Sequence, residues 1–183
     1  MRSHSTPLEG LLLIEPAVYR DERGYFTESY NARALAEVGI ATTFVQDNQA
    51  ASGYGVIRGL HYQCGAAAQA KLVRVMRGQV LDVVVDIRPG SPTYGQSYSV
   101  ELSDDNMLQL YIPAGFAHGY AVLSEEAVFF YKCDNYYDPA SEGGIHPEDP
   151  DLHIDWQIPT ERRIISAKDQ RLPHFPHHRP VNE

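Results

Sequence analysis

The chain contains the stretch Arg58-Gly59-Leu60-His61-Tyr62-Gln63, which lies in a strand-like run from residue 56 to residue 63. Similar runs, rich in Val, Ile, Tyr and Phe and with a period of two, recur through most of the sequence between Gly, Pro and Asp residues. This pattern is typical of an all-β sandwich or barrel. We therefore expect His61 to lie on a strand of such a fold.

The length and composition indicate one globular domain that covers residues 1–183, with 43% hydrophobic and 21% charged residues. The formal net charge of -9 argues against nucleic-acid binding, which depends on Lys and Arg to neutralise phosphates. The apolar stretch from Leu11 to Ile14 is far too short for a membrane span or a signal-peptide core. Cys64 and Cys133 are too few and too far apart for a disulfide framework or a Cys-x-x-Cys motif, which favours reduced thiols and the cytoplasm.

Several strands are predicted from the period of two, and the clearest pair is a hairpin whose two loop residues are Arg77 and Gly78. In that pairing Lys71 lies opposite Val84 and diagonal to Asp82, so that Lys71 and Asp82 can interact. The predicted strands are 24–29, 44–47, 56–63, 71–76, 80–85, 98–102, 109–112, 119–123 and 127–132.

One short helix and a proline-rich tail complete the predicted secondary structure. The helix is capped by Asn31 and ends at Gly39. Prolines recur from position 147 onward and argue against a long regular element there, although Trp156 is expected to pack on the body of the fold. The stretch from His174 to Pro180, with three histidines, is expected to be a mobile terminus rather than a metal site.

A second histidine follows a turn in the segment Tyr111-Ile112-Pro113-Ala114-Gly115-Phe116-Ala117-His118-Gly119, which resembles the second motif of the cupin, or jelly-roll, superfamily. In metal-dependent cupins the first motif supplies a His-x-His pair, whereas here Gln63 replaces the second histidine. Without a carboxylate at ligand spacing, His61 and His118 make a poor site for zinc, iron or manganese. The sequence therefore predicts no metal.

Histidine, lysine and tyrosine side chains suit a different chemistry, the abstraction of a proton next to a carbonyl group. Such a reaction needs a base, a cation or donor at the developing enolate oxygen, and an acid that returns the proton. Two histidines, Lys71 and several tyrosines supply this inventory.

The chain resembles the dTDP-4-dehydrorhamnose 3,5-epimerase family over nearly its whole length. The motifs that carry the resemblance occur in the order and spacing of that family, and they are Asp21-Glu22-Arg23-Gly24, Phe44-Val45-Gln46-Asp47-Asn48, Arg58-Gly59-Leu60-His61-Tyr62-Gln63, Lys71-Leu72-Val73-Arg74, Gly115-Phe116-Ala117-His118-Gly119, Tyr131-Lys132 and Ser166-Ala167-Lys168-Asp169. Any one of these motifs alone is weak evidence, but all of them in register are specific.

The resemblance implies an isomerase that uses neither metal nor cofactor and inverts C3 and C5 of dTDP-4-dehydro-6-deoxy-D-glucose. It implies a cupin-type jelly-roll barrel with short peripheral helices and an irregular C-terminal segment. His61 is then the base that removes the protons, and Asp169 is its dyad partner. Tyr131 is the acid on the opposite face of the sugar, and Lys71 stabilises the enolate at the C4 oxygen.

The resemblance also implies a homodimer that exchanges its N-terminal strands, so that Arg23 and Glu28 serve the partner's site. Tyr137, with its neighbour Tyr136, either packs or stacks on the thymine. The residues implied in binding of the dTDP-sugar substrate are Arg23, Phe26, Glu28, Gln46, Asn48, Arg58, Asp82, His118, Tyr137, Glu142 and Lys168.

One local pattern conflicts with a shared site for Arg58 and His61, because strict alternation along a flat strand puts the two side chains on opposite faces. Gly59 lies between them and predicts a bulge or bend that re-aims one side chain. Regular, unbroken pairing from residue 57 to residue 62 would refute this hypothesis.

Alternative readings stay open at this point. A relative that inverts only one carbon keeps the same base and acid. A metal-dependent cupin would use His61 and His118, and a noncatalytic module would bind a nucleotide sugar without turnover. Residue by residue, Tyr131 is also suited to core packing, Asp169 to a solvated position or a helix cap, and Lys71 to a surface salt bridge with Asp82.

Overall fold

The computed structural model describes residues 1–182, which form two facing β-sheets, a separate two-stranded ribbon and one short α-helix. This confirms the predicted all-β class. The strands are β1 (Arg2–Ser5), β2 (Leu12–Glu15), β3 (Val18–Asp21), β4 (Gly24–Thr27), β5 (Gln46–Gly53), β6 (Val56–Gln63), β7 (Lys71–Arg77), β8 (Gln79–Asp86), β9 (Ser97–Ser103), β10 (Gln109–Ile112), β11 (Phe116–Val122), β12 (Glu126–Cys133), β13 (Glu142–Gly144) and β14 (Ile164–Ile165).

The two sheets are built from strands that are distant in sequence. The first sheet has the order β1-β2-β10-β7-β12-β5, and the second has the order β13-β6-β11-β8-β9. β14 pairs with β6 in parallel, whereas β3 and β4 form the separate ribbon. Some strands that follow one another along the chain, such as β5 and β6, fall in different sheets. One face of each sheet packs against the other sheet, as in a jelly roll.

The α-helix α1 (Ala32–Glu37) forms where the sequence predicts it, because Asn31 accepts hydrogen bonds from the backbone N–H groups of Arg33 and Ala34. The 3₁₀ turns are Gly65–Ala67, Pro139–Ser141, Pro150–Leu152, Thr160–Arg162, Asp169–Arg171 and Phe175–His177. None of the helices formed by residues 1–182 has the length and apolar character needed to cross a membrane.

Three apolar clusters stabilise the sheets. Between the sheets, residues such as Val73 and Phe129 of the first pack on Val84 of the second. The outer face of the second sheet is covered by the C-terminal segment, with Trp156 fully buried and its indole N–H donating to the Pro147 carbonyl at 2.7 Å. This confirms the packing predicted for Trp156. A smaller cluster places α1 on the outer face of the first sheet.

The predicted hairpin around Arg77 and Gly78 is wrong. Gly78 has the expected positive φ of 80°, but the turn carries the chain from β7 in the first sheet to β8 in the second. Lys71 is therefore in register with Ile112 and Cys133 rather than with Val84. The apolar pattern of the two runs suits either arrangement, because it specifies which faces are buried and not which strand lies alongside.

The expectation of a mobile terminus from His174 to Pro180 is also wrong. His174 Nδ1 lies 2.7 Å from the buried Asp149 carboxylate, and the Arg179 carbonyl accepts a 2.6 Å hydrogen bond from the Tyr62 hydroxyl. Val181 is 8% exposed and belongs to the cluster that covers the second sheet. A proline-rich sequence without regular structure is thus compatible with tight packing when it covers an apolar face.

The predicted strands agree closely with the structure in the central part of the chain. β6 and β10 have the predicted bounds, and β9, β11 and β12 differ from them at the ends. The run predicted at 44–47 overlaps the longer β5 (Gln46–Gly53) only at residues 46 and 47. The sequence patterns do not predict five of the strands, which are β1, β2, β3, β13 and β14.

Candidate active site

The candidate site is a cleft of about 610 Å³ that opens between the two sheets. Strands β5, β7 and β12 of the first sheet form one wall, and β6 and β11 of the second sheet form the other. The residues from the sequence-predicted set that line it are Gln46, Asn48, Arg58, His61, Lys71, His118, Tyr131, Tyr137, Glu142, Lys168 and Asp169.

A bulge in β6 brings Arg58 and His61 to the same cleft and confirms the bend predicted at Gly59. His61 is in register with His118 of β11, but Arg58 is in register with Tyr120, so the pairing shifts between the two positions. Gly59 has a φ of 130°, and a Cβ atom there would lie 2.5 Å from the Gly119 Cα. Glycine is therefore required at this position for both its backbone conformation and the close approach of β11.

His61 forms a hydrogen-bonded pair with Asp169, and the distance from His61 Nε2 to Asp169 Oδ1 is 2.8 Å. The His61 side chain is 33% exposed, whereas that of Asp169 is 5% exposed. Burial raises the pKa of Asp169, but His61 and the backbone and side-chain donors around it have the larger combined effect and lower it. The carboxylate thus stays ionised behind the ring, and Nδ1 is the His61 nitrogen left to accept a proton.

His118 forms a second pair, with Asp82, and both Asp82 oxygens lie within 3.1 Å of His118 Nε2. Here both side chains are buried, at 8% and 0% exposure. Asp82 is absent from the cleft wall, so the expectation that Asp82 binds substrate is corrected: it lies behind His118 and supports it. Asp82 is in register with Tyr120, which makes His118 its diagonal neighbour on the same face of the sheet.

Tyr131 faces the cleft from the opposite sheet, on β12, where it is in register with Asn48 of β5. Burial raises the pKa of Tyr131 to about 12, and Cys133 and Tyr120 act in the same direction against Arg58. A phenol in this environment keeps its proton at neutral pH. His61 and Tyr131 therefore present a proton acceptor and a proton donor from opposite walls.

Lys71 is a partly buried cation in the same cleft. Among residues 1–182 its ammonium group makes neither a hydrogen bond nor an ion pair, so the surface salt bridge with Asp82 does not form. Burial lowers the pKa of Lys71, and nearby Cys133, Asp82 and Glu142 oppose the shift. An ammonium group without a carboxylate partner is available to stabilise negative charge on a bound ligand.

A polar network closes another part of the cleft. Lys168 Nζ lies 2.6 Å and 2.7 Å from the two carboxylate oxygens of Glu142, and the Tyr137 hydroxyl donates to Glu142 at 2.9 Å. Gln46 accepts a hydrogen bond from the Tyr137 backbone N–H at 3.2 Å and donates to Asn48 at 3.0 Å. These side chains offer hydrogen bonds to a polar ligand.

Arg23, Phe26 and Glu28 lie apart from this cleft. Arg23 and Phe26 belong to the ribbon of β3 and β4 or its turn, and Arg23 forms an ion pair with its neighbour Asp21. The Arg23 side chain is 83% exposed. The single chain therefore does not bring these three residues together with His61.

Sequence reasoning missed several polar residues that organise the cleft. Ser166 accepts a hydrogen bond from the Asp169 backbone N–H, Gln63 accepts one from that of Asp138, and Ser52 accepts one from Arg58. The period of two was a usable signal for Ser52, because it shares a face of β5 with Gln46 and Asn48. Within residues 1–182, no three His, Cys, Asp or Glu side chains are grouped in a way that could hold a metal ion.

Comparison with known proteins gives consistent results over most of the chain. A family model described as dTDP-4-dehydrorhamnose 3,5-epimerase matches residues 5–177. The enzyme of that name from Salmonella typhimurium is 51% identical over 169 residues, which are 92% of each chain. The crystal structure of the Elizabethkingia anophelis enzyme is 53% identical, with a TM-score of 0.90 and coverage of 95% of this chain and 96% of that one.

A further solved structure, the dTDP-6-deoxy-D-glucose-3,5-epimerase of Legionella pneumophila, contains dTDP-4-keto-L-rhamnose. It is 49% identical to this chain, has a TM-score of 0.91, and is matched over 96% of this chain and 93% of its own.

Proposed function

The chain belongs to the dTDP-4-dehydrorhamnose 3,5-epimerase family, and we propose that it inverts C3 and C5 of dTDP-4-dehydro-6-deoxy-D-glucose to give dTDP-4-dehydro-L-rhamnose. It is an isomerase of dTDP-L-rhamnose biosynthesis. The observation that carries the proposed mechanism is the cleft with a His–Asp pair on one wall and a protonated tyrosine on the other.

Proton abstraction is assigned to His61. The C4 ketone of the sugar acidifies the C–H bonds at C3 and C5. The acceptor is His61 Nδ1, which makes no hydrogen bond among residues 1–182. Asp169 fixes the Nε2–H tautomer and stabilises the imidazolium that forms. The 33% exposure of the His61 side chain supports this role, because the base has to reach the sugar.

Stabilisation of the enolate is assigned to Lys71. Removal of a proton at C3 or C5 moves negative charge to the C4 oxygen, which requires a fixed positive charge or donor. The Lys71 ammonium group is unpaired among the described residues and lies on the cleft wall. Because Lys71 is partly buried, its charge is screened less than it would be in bulk solvent.

Inversion requires that the new proton arrive on the face opposite the base. Tyr131 lies on the wall opposite His61 and keeps its phenolic proton because burial raises its pKa. The Tyr131 O–H bond breaks as the new C–H bond forms. A base without this acid would return the proton to the same face and regenerate the substrate.

The remaining polar groups of the cleft are assigned to binding. Arg58, Lys168 and His118 suit the diphosphate or the sugar oxygens, because they are cations or hydrogen-bond donors. Gln46, Asn48, Glu142 and Tyr137 offer hydrogen bonds or an aromatic face to the nucleoside.

A homodimer is part of the proposal, with the ribbon of β3 and β4 lying against the partner's cleft. The ribbon pairs with neither sheet, and three of its aromatic side chains, Tyr19, Tyr25 and Phe26, are 66%, 54% and 68% exposed. An isolated two-stranded ribbon is marginally stable in water, and exposed aromatic clusters mark interaction sites. We assign the protein to the cytoplasm, because its two cysteines, Cys64 and Cys133, are buried reduced thiols.

Mixing of two inactive variants tests the exchange. If Arg23 serves the partner's site, a mixed dimer of Arg23→Ala and His61→Ala subunits has one intact site, and activity returns on mixing. If Arg23 serves its own site, both sites remain defective and no activity returns.

Deuterium uptake from D₂O into dTDP-4-dehydro-6-deoxy-D-glucose tests the reaction itself, with the product identified by NMR. Label at both C3 and C5 is the expected result, whereas label at one carbon would identify a single-carbon epimerase and no label a binding module. Tyr131→Phe is expected to retain exchange while losing inversion. Loss of turnover after chelation, with stoichiometric metal in the purified protein, would overturn the metal-free mechanism.

A further inference from the structure

Arg58 spans one end of the cleft. It lies on β6 of the second sheet, and its Nε donates a hydrogen bond of 3.1 Å to Ser52 Oγ on β5 of the first sheet. The bulge at Gly59 aims Arg58 into the cleft. The Arg58–Ser52 hydrogen bond therefore links the two walls that carry His61 and Tyr131.

Tyr120 lies in register with Arg58, and its hydroxyl group is a buried polar group in an apolar position. The residue is 5% exposed, and the hydroxyl oxygen is buried without a well-formed hydrogen bond among the described residues. The ring stacks on Phe129 with centroids 4.1 Å apart and planes 17° apart. A phenylalanine would stack equally well and would bury no polar atom.

The polar surroundings of the Tyr120 hydroxyl are Arg58, Ser52 and Asp82. Burial raises the pKa of Tyr120, Arg58 and Ser52 lower it, and Asp82 raises it. Tyr120 is therefore close to both ends of the Arg58–Ser52 hydrogen bond.

The same group of residues adjoins Tyr131. The Tyr131 ring centroid is 6.1 Å from that of Phe129, on which Tyr120 stacks. The titratable or charged groups that face Tyr131 are Cys133 on its own strand, Tyr120 on β11 and Arg58 on β6. Of these, Arg58 alone favours the phenolate, because it lowers the pKa of Tyr131 against the larger effect of burial.

We propose that Ser52 and Tyr120 are positioning residues that hold the Arg58 guanidinium beside Tyr131, where its charge stabilises the phenolate formed when Tyr131 protonates the sugar. The inference rests on the proposed function. In this step the Tyr131 O–H bond breaks, a C–H bond forms at C3 or C5, and the negative charge passes from the enolate to the Tyr131 oxygen. Solvent then takes the abstracted proton from the His61 imidazolium and returns a proton to the Tyr131 phenolate, so that both groups regain their starting states.

The need for positioning follows from the properties of arginine. Arg58 is exposed, and a long side chain in that position samples many rotamers unless hydrogen bonds restrict it. A guanidinium that swings into solvent is hydrated and screened, so its effect on Tyr131 falls. Ser52 restricts the Nε end through its hydrogen bond, and Tyr120 lies in register with Arg58 on the adjacent strand β11.

The test compares exchange with inversion in Ser52→Ala and Tyr120→Phe. The substrate dTDP-4-dehydro-6-deoxy-D-glucose is incubated in D₂O, and deuterium uptake and inverted product are measured separately from pH 6 to 10. We expect the rate of inversion to fall by about tenfold, the effect of one ordinary hydrogen bond, while uptake through His61 persists. The ratio of exchange to inversion then rises about tenfold across the pH range.

Matched controls are Tyr98→Phe and Ser99→Ala on β9, outside the cleft wall, which should leave the ratio unchanged. A parallel fall in exchange and inversion, or an unchanged ratio, overturns the inference. If one of the two variants fails to fold, as judged by its melting temperature, the other one decides. A wild-type protein that neither exchanges nor inverts refutes the proposed function instead, so the two failures are distinguishable.

Discussion

The two His–Asp pairs of the cleft are alike in composition and differ in access. His61 and His118 are in register on neighbouring strands, and each bonds an aspartate through Nε2. The His61 side chain is 33% exposed, and its aspartate belongs to the segment after β14. The His118 side chain is 8% exposed, and its aspartate lies on the adjacent strand of the same sheet.

This difference separates a reactive pair from a fixed one. A general base has to reach the proton it removes, so exposure to the cleft favours His61. A buried pair that is bonded within one sheet is held rigidly, which suits His118 for a hydrogen bond to the substrate. Identical side-chain pairs thus acquire different roles from the elements that hold them.

The largest effect is expected when the two histidines are removed in turn. His61→Ala should lower turnover by about 10²–10⁴-fold, the usual effect of losing a general base. His118→Ala should cost only about tenfold, the effect of one hydrogen bond. Deuterium uptake at C3 and C5 checks both variants, and equal losses would contradict the division of roles.

The next effect concerns Lys71, which stabilises the enolate whether the proton is removed from C3 or from C5. Lys71→Met should lower kcat by about 10²–10³-fold, as expected for loss of one charge-stabilising group. Burial lowers the pKa of Lys71 below 10.5, the ordinary value for lysine, so the ammonium group is lost as pH rises through that lowered value. The alkaline fall in kcat should therefore begin below the pKa of Tyr131, which is about 12.

A profile of kcat from pH 7 to 11 checks this order of titration. An alkaline fall that stays at the same pH in Lys71→Met would show that another group controls it.

A smaller effect distinguishes the two aspartates. Asp82→Ala leaves the buried His118 Nε2–H without an acceptor, which should lower the free energy of unfolding by about 1–3 kcal/mol. In Asp169→Ala, His61 is exposed enough to bond to water, so the free energy of unfolding should fall less than in Asp82→Ala. The rate of turnover should fall more, because His61 is the base. Urea unfolding and kcat measured on both variants check the contrast, and a reversed order of either quantity would refute it.

The smallest effect is the dependence of stability on pH that comes from Asp169. Its pKa is lowered in the folded protein, so the folded state binds fewer protons than the unfolded chain. The stabilisation is complete above the unfolded value, about 3.9, and is lost as pH falls through the lowered folded value. The difference in melting temperature between wild type and Asp169→Asn should therefore shrink as the pH is lowered from 5 to 2.5. A difference that does not change with pH would contradict this source of stability.

The sequence predicted the strands that form the cleft better than it predicted their partners. The bounds of β6 and β10 and the bend at Gly59 followed from local patterns, because alternation and glycine act within a few residues. The pairing of β7 with β10 and β12 did not follow, because it depends on contacts between residues far apart in the chain. Lys71 was accordingly assigned to the right cleft but to the wrong neighbours.

The candidate site was predictable where a motif carried it and not where burial determined it. His61 and Asp169 are 108 positions apart, and only the resemblance to a family suggested that they meet. The resemblance implied that Asp82 binds the substrate, but its position behind His118 depends on the register between β8 and β11. The contribution of Ser52 depends on the bulge that aims Arg58 across the cleft.

The cover over the second sheet has a consequence for the order of folding. The apolar outer face of β6, β8 and β11 is completed by Ile145, Trp156 and Val181, which are synthesised after the strands they cover. During translation the apolar face of those strands stays exposed until the C-terminal residues are made, and contacts between distant residues form slowly. We expect the wall that holds His61 and His118 to become protected against hydrogen exchange only after residue 181 has joined it, so a nascent chain stopped earlier should depend on chaperones.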